Sequence, residues 1–171
     1  MPQRVYNNVI GQKVIDNGRV AEDVTSVTLP TIKNKTTQLS VAGMIMDVDM
    51  PDMTRLEAME FAIAHNNGLN CRYLGEPGKH IVEVRLARQR YDVPQGEIAP
   101  EGVKYRVTGI HKETDKGNAE LGNPLGSTDK YSVVRYEEEL NGEIVTIIDA
   151  LAGVIKYNGT DYASVVDNLL N

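Results

Sequence analysis

Four Asn-Gly pairs punctuate this chain, at 17–18, 67–68, 141–142 and 158–159. Both residues tolerate positive φ, which the two central positions of a type I′ turn require. That turn has the twist of two antiparallel strands, so a chain built on several of them is constrained towards hairpins. The flanks at 17–18, 141–142 and 158–159 are strand-like, whereas 67–68 reads as a looser loop.

Residues 131–140 and 143–149 flank the third pair and are rich in β-branched and aromatic residues, which makes a hairpin there. Residues 13–16 and 19–28 form a second, less regular one. In 81–90, Val82, Val84 and Leu86 alternate with Glu83, Arg85 and Ala87. In 103–110, Val103, Tyr105 and Val107 alternate with Lys104, Arg106 and Thr108. Period-two alternation gives each strand one buried face. In 44–50, Met46, Val48 and Met50 take one side, and Asp47 and Asp49 the other. Residues 54–65 carry two patterns. Thr54 with Glu57 resembles a helical capping box, while Met59, Phe61 and Ile63 also fall on one face of a strand. Loops are expected at 92–102, with Pro94, Gly96, Pro100 and Gly102, and at the polar stretch 114–130. Residues 162–170 suit a short helix.

The length of 171 residues suits one domain with a sizeable core. With 25% charged and 41% hydrophobic residues, the composition is globular rather than disordered. Trp is absent and Phe occurs once, so the core leans on Val, Ile, Leu and Met. A net charge of −6 disfavours a protein that grips nucleic acid, since phosphate binding needs clustered Lys and Arg. It leaves open a surface past which DNA slides. The start, Met1-Pro2-Gln3-Arg4, has no apolar core for a signal peptide, and no apolar run reaches the ~18 residues of a membrane helix. A single cysteine, Cys71, permits no internal disulfide, so folding in a reducing cytoplasm is expected.

Candidate chemistry fails on spacing. His65, His80 and His111 lack the convergent spacing of a zinc site, and each is expected at the surface. Cys71 has no C-x-x-C partner and reads as a small half-buried residue. Asp47, Asp49 and Asp52 alternate with apolar residues, as on a strand, and lack the Gly and terminal Glu of a calcium loop. Arg72, Lys79, Arg85, Arg88 and Arg90 concentrate positive charge, but Arg85 faces the other way from Arg88 and Arg90. Glu137, Glu138 and Glu139 beside Asn141 read as a solubilising hairpin tip. No phosphate-binding or nucleophile motif occurs, and no cofactor or metal is expected.

Three stretches taken in order carry a resemblance. They are Ser26–Ile32 followed by Ala42-Gly43-Met44; Asp47–Met50 with Leu56–Phe61; and Glu143–Asp149 followed by Val154–Asp161. Over residues 20–162 this order and spacing resembles the major tail tube proteins of contractile-tailed phages and of R-type pyocins. The resemblance implies a mainly β fold, an antiparallel β-sandwich or half-barrel with one or two short helices. Such subunits form hexameric rings that stack into a hollow tube, with strands of neighbours joined around a lumen. The stretch 56–64 would then be a strand paired with 44–50. The family's extra helix would be reduced or missing in the short polar stretch 65–80.

In that arrangement the chain is one domain, 1–171, with an N-terminal arm (1–12), an inter-subunit loop (114–130) and a C-terminal tail (162–171). Met46, Val48, Met50, Met59, Phe61 and Ile63 pack inward. Asp47, Asp49 and Glu60, with Ala58, Ala62 and Ala64, face the lumen. Asp115, Lys116, Glu120, Asn123, Pro124 and Asp129 belong to the inter-subunit loop. The implied partners are further copies of the chain, a sheath protein, a baseplate or tube initiator, a tape measure protein and a tail terminator. DNA would pass through without specific binding. The implied location is the virion tail, assembled in the cytoplasm of the bacterial host. Two readings stand beside it: the tube of a DNA-free bacteriocin or injection device, and a free β-sandwich binding module for carbohydrate, to which scattered tyrosines lend some support.

Overall fold

A computed structural model of the chain describes residues 3–171, without the side chain of Asn7. Among the described residues, twelve strands and two short helices make the chain mainly β, with every strand pair antiparallel. Ten strands form one sheet that does not close into a barrel, and two form a separate ribbon.

The main sheet is built around one long hairpin, β7 (Lys79–Asp92) and β8 (Glu97–Asp115), in register from Lys79↔Ile110 to Asp92↔Glu97. The loop expected at 92–102 is therefore only a tight turn at 93–96. Pro100 is accommodated because β8 is bordered by the next strand only from Val103 onward, so its missing N–H breaks no ladder. Strand β1 (Arg4–Asp16) pairs with the other side of β7, so most of the expected N-terminal arm is strand; residues 1–2 lie outside the described part. β2 (Arg19–Ala21) returns along its end through the Asn17-Gly18 turn.

Strand β9 (Ser127–Leu140) lies along β8, and its far side is shared between two strands. Its first half takes β6 (Glu60–His65), which in turn carries β3 (Val24–Thr28). Its second half takes β10 (Glu143–Asp149), followed by β11 (Val154–Tyr157) and β12 (Thr160–Asp161). The turns at 17–18, 141–142 and 158–159 have positive φ at both residues, as type I′ requires. At 67–68 only Asn67 does, in keeping with a looser loop.

The core lies on one side of this sheet. Phe61, Ile63, Val82, Val84, Val107 and Tyr131 are buried there against Cys71 and Leu74 of a 3-10 helix, Leu69–Gly75. That helix is the helical segment within the 65–80 stretch. Cys71 is fully rather than half buried. Gly109 makes room for Tyr131, since a Cβ there would come within 3.0 Å of the tyrosine's own Cβ. The Tyr131 hydroxyl donates to the Leu74 carbonyl oxygen at 2.6 Å and so ties the helix to the sheet.

The ribbon is β4 (Asn34–Leu39) with β5 (Val48–Leu56). The pairing expected between 44–50 and 56–64 does not occur. β5 begins at Val48, runs on to Leu56 and takes β4 as its partner, while β6 joins the main sheet. Pro51 in β5 is tolerable on a two-stranded ribbon with open edges. Phe61 and Ile63 gain more by burial against the 3-10 helix than a ribbon offers. Of the strand expected over 56–64, only 60–64 is strand, within β6; Met59 just before it, Phe61 and Ile63 are buried as expected. Met46 and Met50 do not pack inward; both are exposed. The C-terminal helix α1 (Ser164–Leu170) buries none of its residues.

Candidate assembly surfaces

The histidines are structural. His65 and His80 are buried, against the expectation of surface positions. The Asn67 backbone N–H donates to His65 Nδ1 at 3.0 Å, which leaves the proton on Nε2, 2.7 Å from Asp129 Oδ2. His111 Nε2 and the Thr114 hydroxyl reach Asp129 Oδ1 at 3.2 and 2.5 Å. Burial pushes the Asp129 carboxyl up, but hydrogen bonds from Thr114, His65 and His111 outweigh it and hold it below the usual carboxylate range. Asp129 therefore lies inside the fold at the start of β9 and does not belong to the inter-subunit loop. Strand β9 begins at Ser127, four residues earlier than a loop over 114–130 allowed. A second buried pair sits nearby. His80 Nε2 donates to the Glu76 carbonyl oxygen at 2.7 Å, and His80 Nδ1 faces Asp16 Oδ2 at 2.8 Å. Here burial wins, and the Asp16 carboxyl is raised. Among the described residues, no group of three or more His, Cys, Asp or Glu is disposed to hold a metal ion.

Of the others, Asp115 is the last residue of β8, and Lys116, Glu120, Asn123 and Pro124 follow it in the loop. Asp115 Oδ1 accepts from the Gly117 N–H at 2.9 Å, and Asn123 Nδ2 donates to Glu120 Oε2 at 2.9 Å. Lys116 offers its carbonyl oxygen to the Ser127 hydroxyl, and Pro124 is exposed. Gly117 closes this loop at φ +76°, where an added Cβ would run into the Leu125 and Gly126 carbonyls.

The six residues expected to face a lumen divide among three places. Glu60, Ala62 and Ala64 share the outward face of β6, with Glu60 Oε2 accepting from Lys112 Nζ at 2.8 Å. That contact holds the Glu60 carboxyl below its ordinary value. Asp47 and Asp49 are exposed on the ribbon, where Asp47 accepts from Gln38 Nε2 at 3.3 Å. Ala58 is exposed in the link between ribbon and sheet, lining a groove with Leu56, Val133 and Ile155.

Glu137 and Glu139 do not form an unpaired acidic tip. They are strand residues set against Arg106 and Lys104. Arg88 and Arg90 turn to the opposite face and meet the buried Glu101.

Two surfaces escaped the sequence reading. The ribbon tip exposes Val41, Met44, Ile45 and Met46, with Ile45 wholly in solvent. In the sequence the signal is the apolar run beside Gly43, in which Met46 alternates with Asp47 like a core-facing strand residue. Residues 4–13 of β1 pair only with β7, which leaves a ten-residue open edge with Val5, Val9 and Ile10 exposed along it.

Compared with known proteins, the chain matches the family described as phage tail tube protein FII over residues 12–169. No curated protein matches it. The matched stretch runs from β1 to the last turn of α1 and so takes in the main sheet and the ribbon. The chain belongs to the phage tail tube family, as a structural component of the virion tail.

Proposed function

We propose that this chain is the repeating subunit of a hollow tube. Copies join edge to edge into a hexameric ring, rings stack inside a contractile sheath, and the tube conducts DNA into the host during ejection. Assembly takes place in the host cytoplasm. The sheath, a tube initiator, a tape measure protein and a tail terminator are the partners this role requires. The chain acts as a wall and not as a catalyst.

The observation that carries this reading is surface. The subunit exposes 11255 Å². A compact monomer of 18.9 kDa is expected to expose only about 8300 Å². An excess of roughly 3000 Å² is on the scale of an obligate interface. Strand edges lie unpaired along β1 and β3 and on the ribbon, whose tip is apolar and exposed. An exposed edge of ten residues invites aggregation unless another strand covers it. A heterologous contact that closes on itself makes a ring, and rings have no free edges. The ribbon, the 116–126 loop and α1 reach beyond the sheet and suit contacts with neighbouring copies or rings.

A carbohydrate-binding module fits less well, because Tyr131 and Tyr136 are buried and Tyr6, Tyr91 and Tyr162 are only partly exposed and scattered. Negative-stain microscopy of the purified protein is the test. Rings or hollow rods are expected, and a dispersed monomer at high concentration would overturn the proposal.

A further inference from the structure

We infer that Asp16 and His80 hold one proton between them, and that this proton latches the 3-10 helix to the sheet, so that the helix loosens as pH rises. The latch belongs to the folded subunit and works whether or not copies join into a tube.

The two buried histidine–aspartate pairs have nearly equal lengths, 2.7 Å for His65–Asp129 and 2.8 Å for His80–Asp16. Their proton counts differ. A neutral imidazole has one N–H donor and one acceptor nitrogen. His65 uses both: Nδ1 accepts from the Asn67 N–H, and Nε2 donates to an ionised Asp129. His80 cannot do the same. Its Nε2 lies 2.7 Å from the Glu76 carbonyl oxygen, which only accepts, so that nitrogen carries the N–H. A neutral His80 therefore turns the lone pair of Nδ1 towards Asp16 Oδ2. If the carboxyl were ionised, two acceptors would face each other at 2.8 Å. Water cannot relieve them, since Asp16 and His80 are 0% and 3% exposed. One more proton, on Oδ2 or on Nδ1, turns this repulsion into a hydrogen bond. Among the described residues, Asp16 Oδ1 finds no hydrogen-bond partner, so a full carboxylate charge is poorly accommodated there. Burial pushes the Asp16 carboxyl up by more than its contact with His80 lowers it.

The surrounding groups leave that proton to the pair. Glu76 raises the Asp16 carboxyl further, and Arg19 of β2 opposes it. Burial pushes the Tyr73 hydroxyl up to about 12 and raises Tyr131 as well, so both stay neutral. The ring of His111 on β8 lies 6.3 Å from that of His80 and is engaged through Nε2 with Thr114 and Asp129. The helix depends on the proton at one end. At its start the Gly68 N–H donates to Asp23 Oδ2 at 3.0 Å. In its middle the Tyr73 hydroxyl donates to the Arg19 carbonyl at 3.1 Å, and Tyr131 donates to Leu74. Its far end is held through the Glu76 carbonyl, which accepts from His80. Pro77 and Gly78, the latter at φ +117°, follow before β7 begins. Once the proton leaves, His80 can satisfy only one of its two partners. The ionised carboxylate is the stronger acceptor, so the remaining N–H moves to Nδ1. The Nε2 lone pair then faces the Glu76 carbonyl and repels that end of the helix.

Cys71, fully buried on this helix, reports the docking. The dilute full-length subunit is reacted with a pyridyl disulfide, which attacks thiols in acid as well as in alkali. Its rate, divided by that of the urea-unfolded chain at the same pH, measures how often the helix opens. Opening releases the proton, so protection in the wild type is expected to fall as pH rises, by up to about tenfold per pH unit. Asp16→Asn offers an amide N–H to His80 Nδ1 at every pH, and its protection is expected to stay level. Wild-type protection that does not change with pH, or an equal fall in Asp16→Asn, would overturn the latch. NMR of the wild type needs no variant. The His80 ring resonances are expected to shift in one step as pH rises, while those of His65, which needs no added proton, stay constant over that step. A His80 ring that never shifts, or one that shifts together with His65, would overturn it equally.

Discussion

Replacing Asp129 with alanine removes one acceptor from three donors at once: His65 Nε2, His111 Nε2 and the Thr114 hydroxyl. His65 is buried, with its other nitrogen already accepting from the Asn67 N–H, so its orphaned Nε2–H has no route to water. His111 and Thr114 are half-buried, and solvent makes good part of their loss. Breaking a buried pair of this kind costs about 3–5 kcal/mol. Against a total stability on the order of 5–15 kcal/mol, this is a large fraction. At a urea slope of about 1–3 kcal/mol per molar, the midpoint falls by roughly 2 M. The assay is urea unfolding of dilute, unassembled subunit at neutral pH, followed by circular dichroism. Asp129→Asn keeps one acceptor but sets an amide N–H₂ against a donor, and falls between the two. The pH dependence has a definite sign. Because the folded carboxyl is depressed, its contribution is complete above the unfolded value of about 3.9 and is lost as pH falls through the folded value. Asp129→Ala therefore flattens the acid limb of the stability profile. A loss below about 1 kcal/mol, together with failed assembly, would refute this reasoning and return Asp129 to a contact between subunits.

Asp16 has the opposite sign. Its carboxyl is raised by burial, so its contribution is complete below about 3.9 and is lost as pH rises through the folded value. Asp16→Asn, which can still donate to His80 Nδ1, is expected to lose less stability than wild type between acid and neutral pH; a steeper loss would contradict this. Gly117→Ala forces a Cβ onto the Leu125 and Gly126 carbonyls at a positive φ, so a loss of about 1–3 kcal/mol is expected in thermal unfolding, and an unchanged Tm would sink the account. Ile45→Asp, at the solvent-exposed ribbon tip, should leave subunit stability within about 0.5 kcal/mol while reducing tube yield seen by microscopy; normal tubes would exclude the tip from assembly.

Membership in the tail tube family was legible in the spacing of three stretches, and the family match over 12–169 agrees with it. The surfaces that carry the role were less legible. Ile45 and Met46 look like core residues in a sequence, because apolar side chains are buried both in cores and in assembly contacts. Asp129 looks like a loop carboxylate, because nothing adjacent in sequence announces that His65 and His111 converge on it. Charge pairing is invisible in the run Glu137-Glu138-Glu139, whose partners Lys104 and Arg106 lie on another strand.

Turn chemistry and side-chain period are local. Positive φ at Asn17, Asn141 and Asn158 and the two faces of 60–65, 81–90 and 103–110 follow from a few neighbouring residues, so the chain's own order of amino acids determines them. Strand partnership is not local. Any open strand edge offers the same N–H and C=O groups, and burial of the attached side chains selects among the edges. That selection joined β6 to β3 and β9 rather than to 44–50, and extended β7 and β8 through two prolines into one hairpin. It also left residues 4–13 of β1 with an edge that, among the described residues, no strand of the same subunit fills.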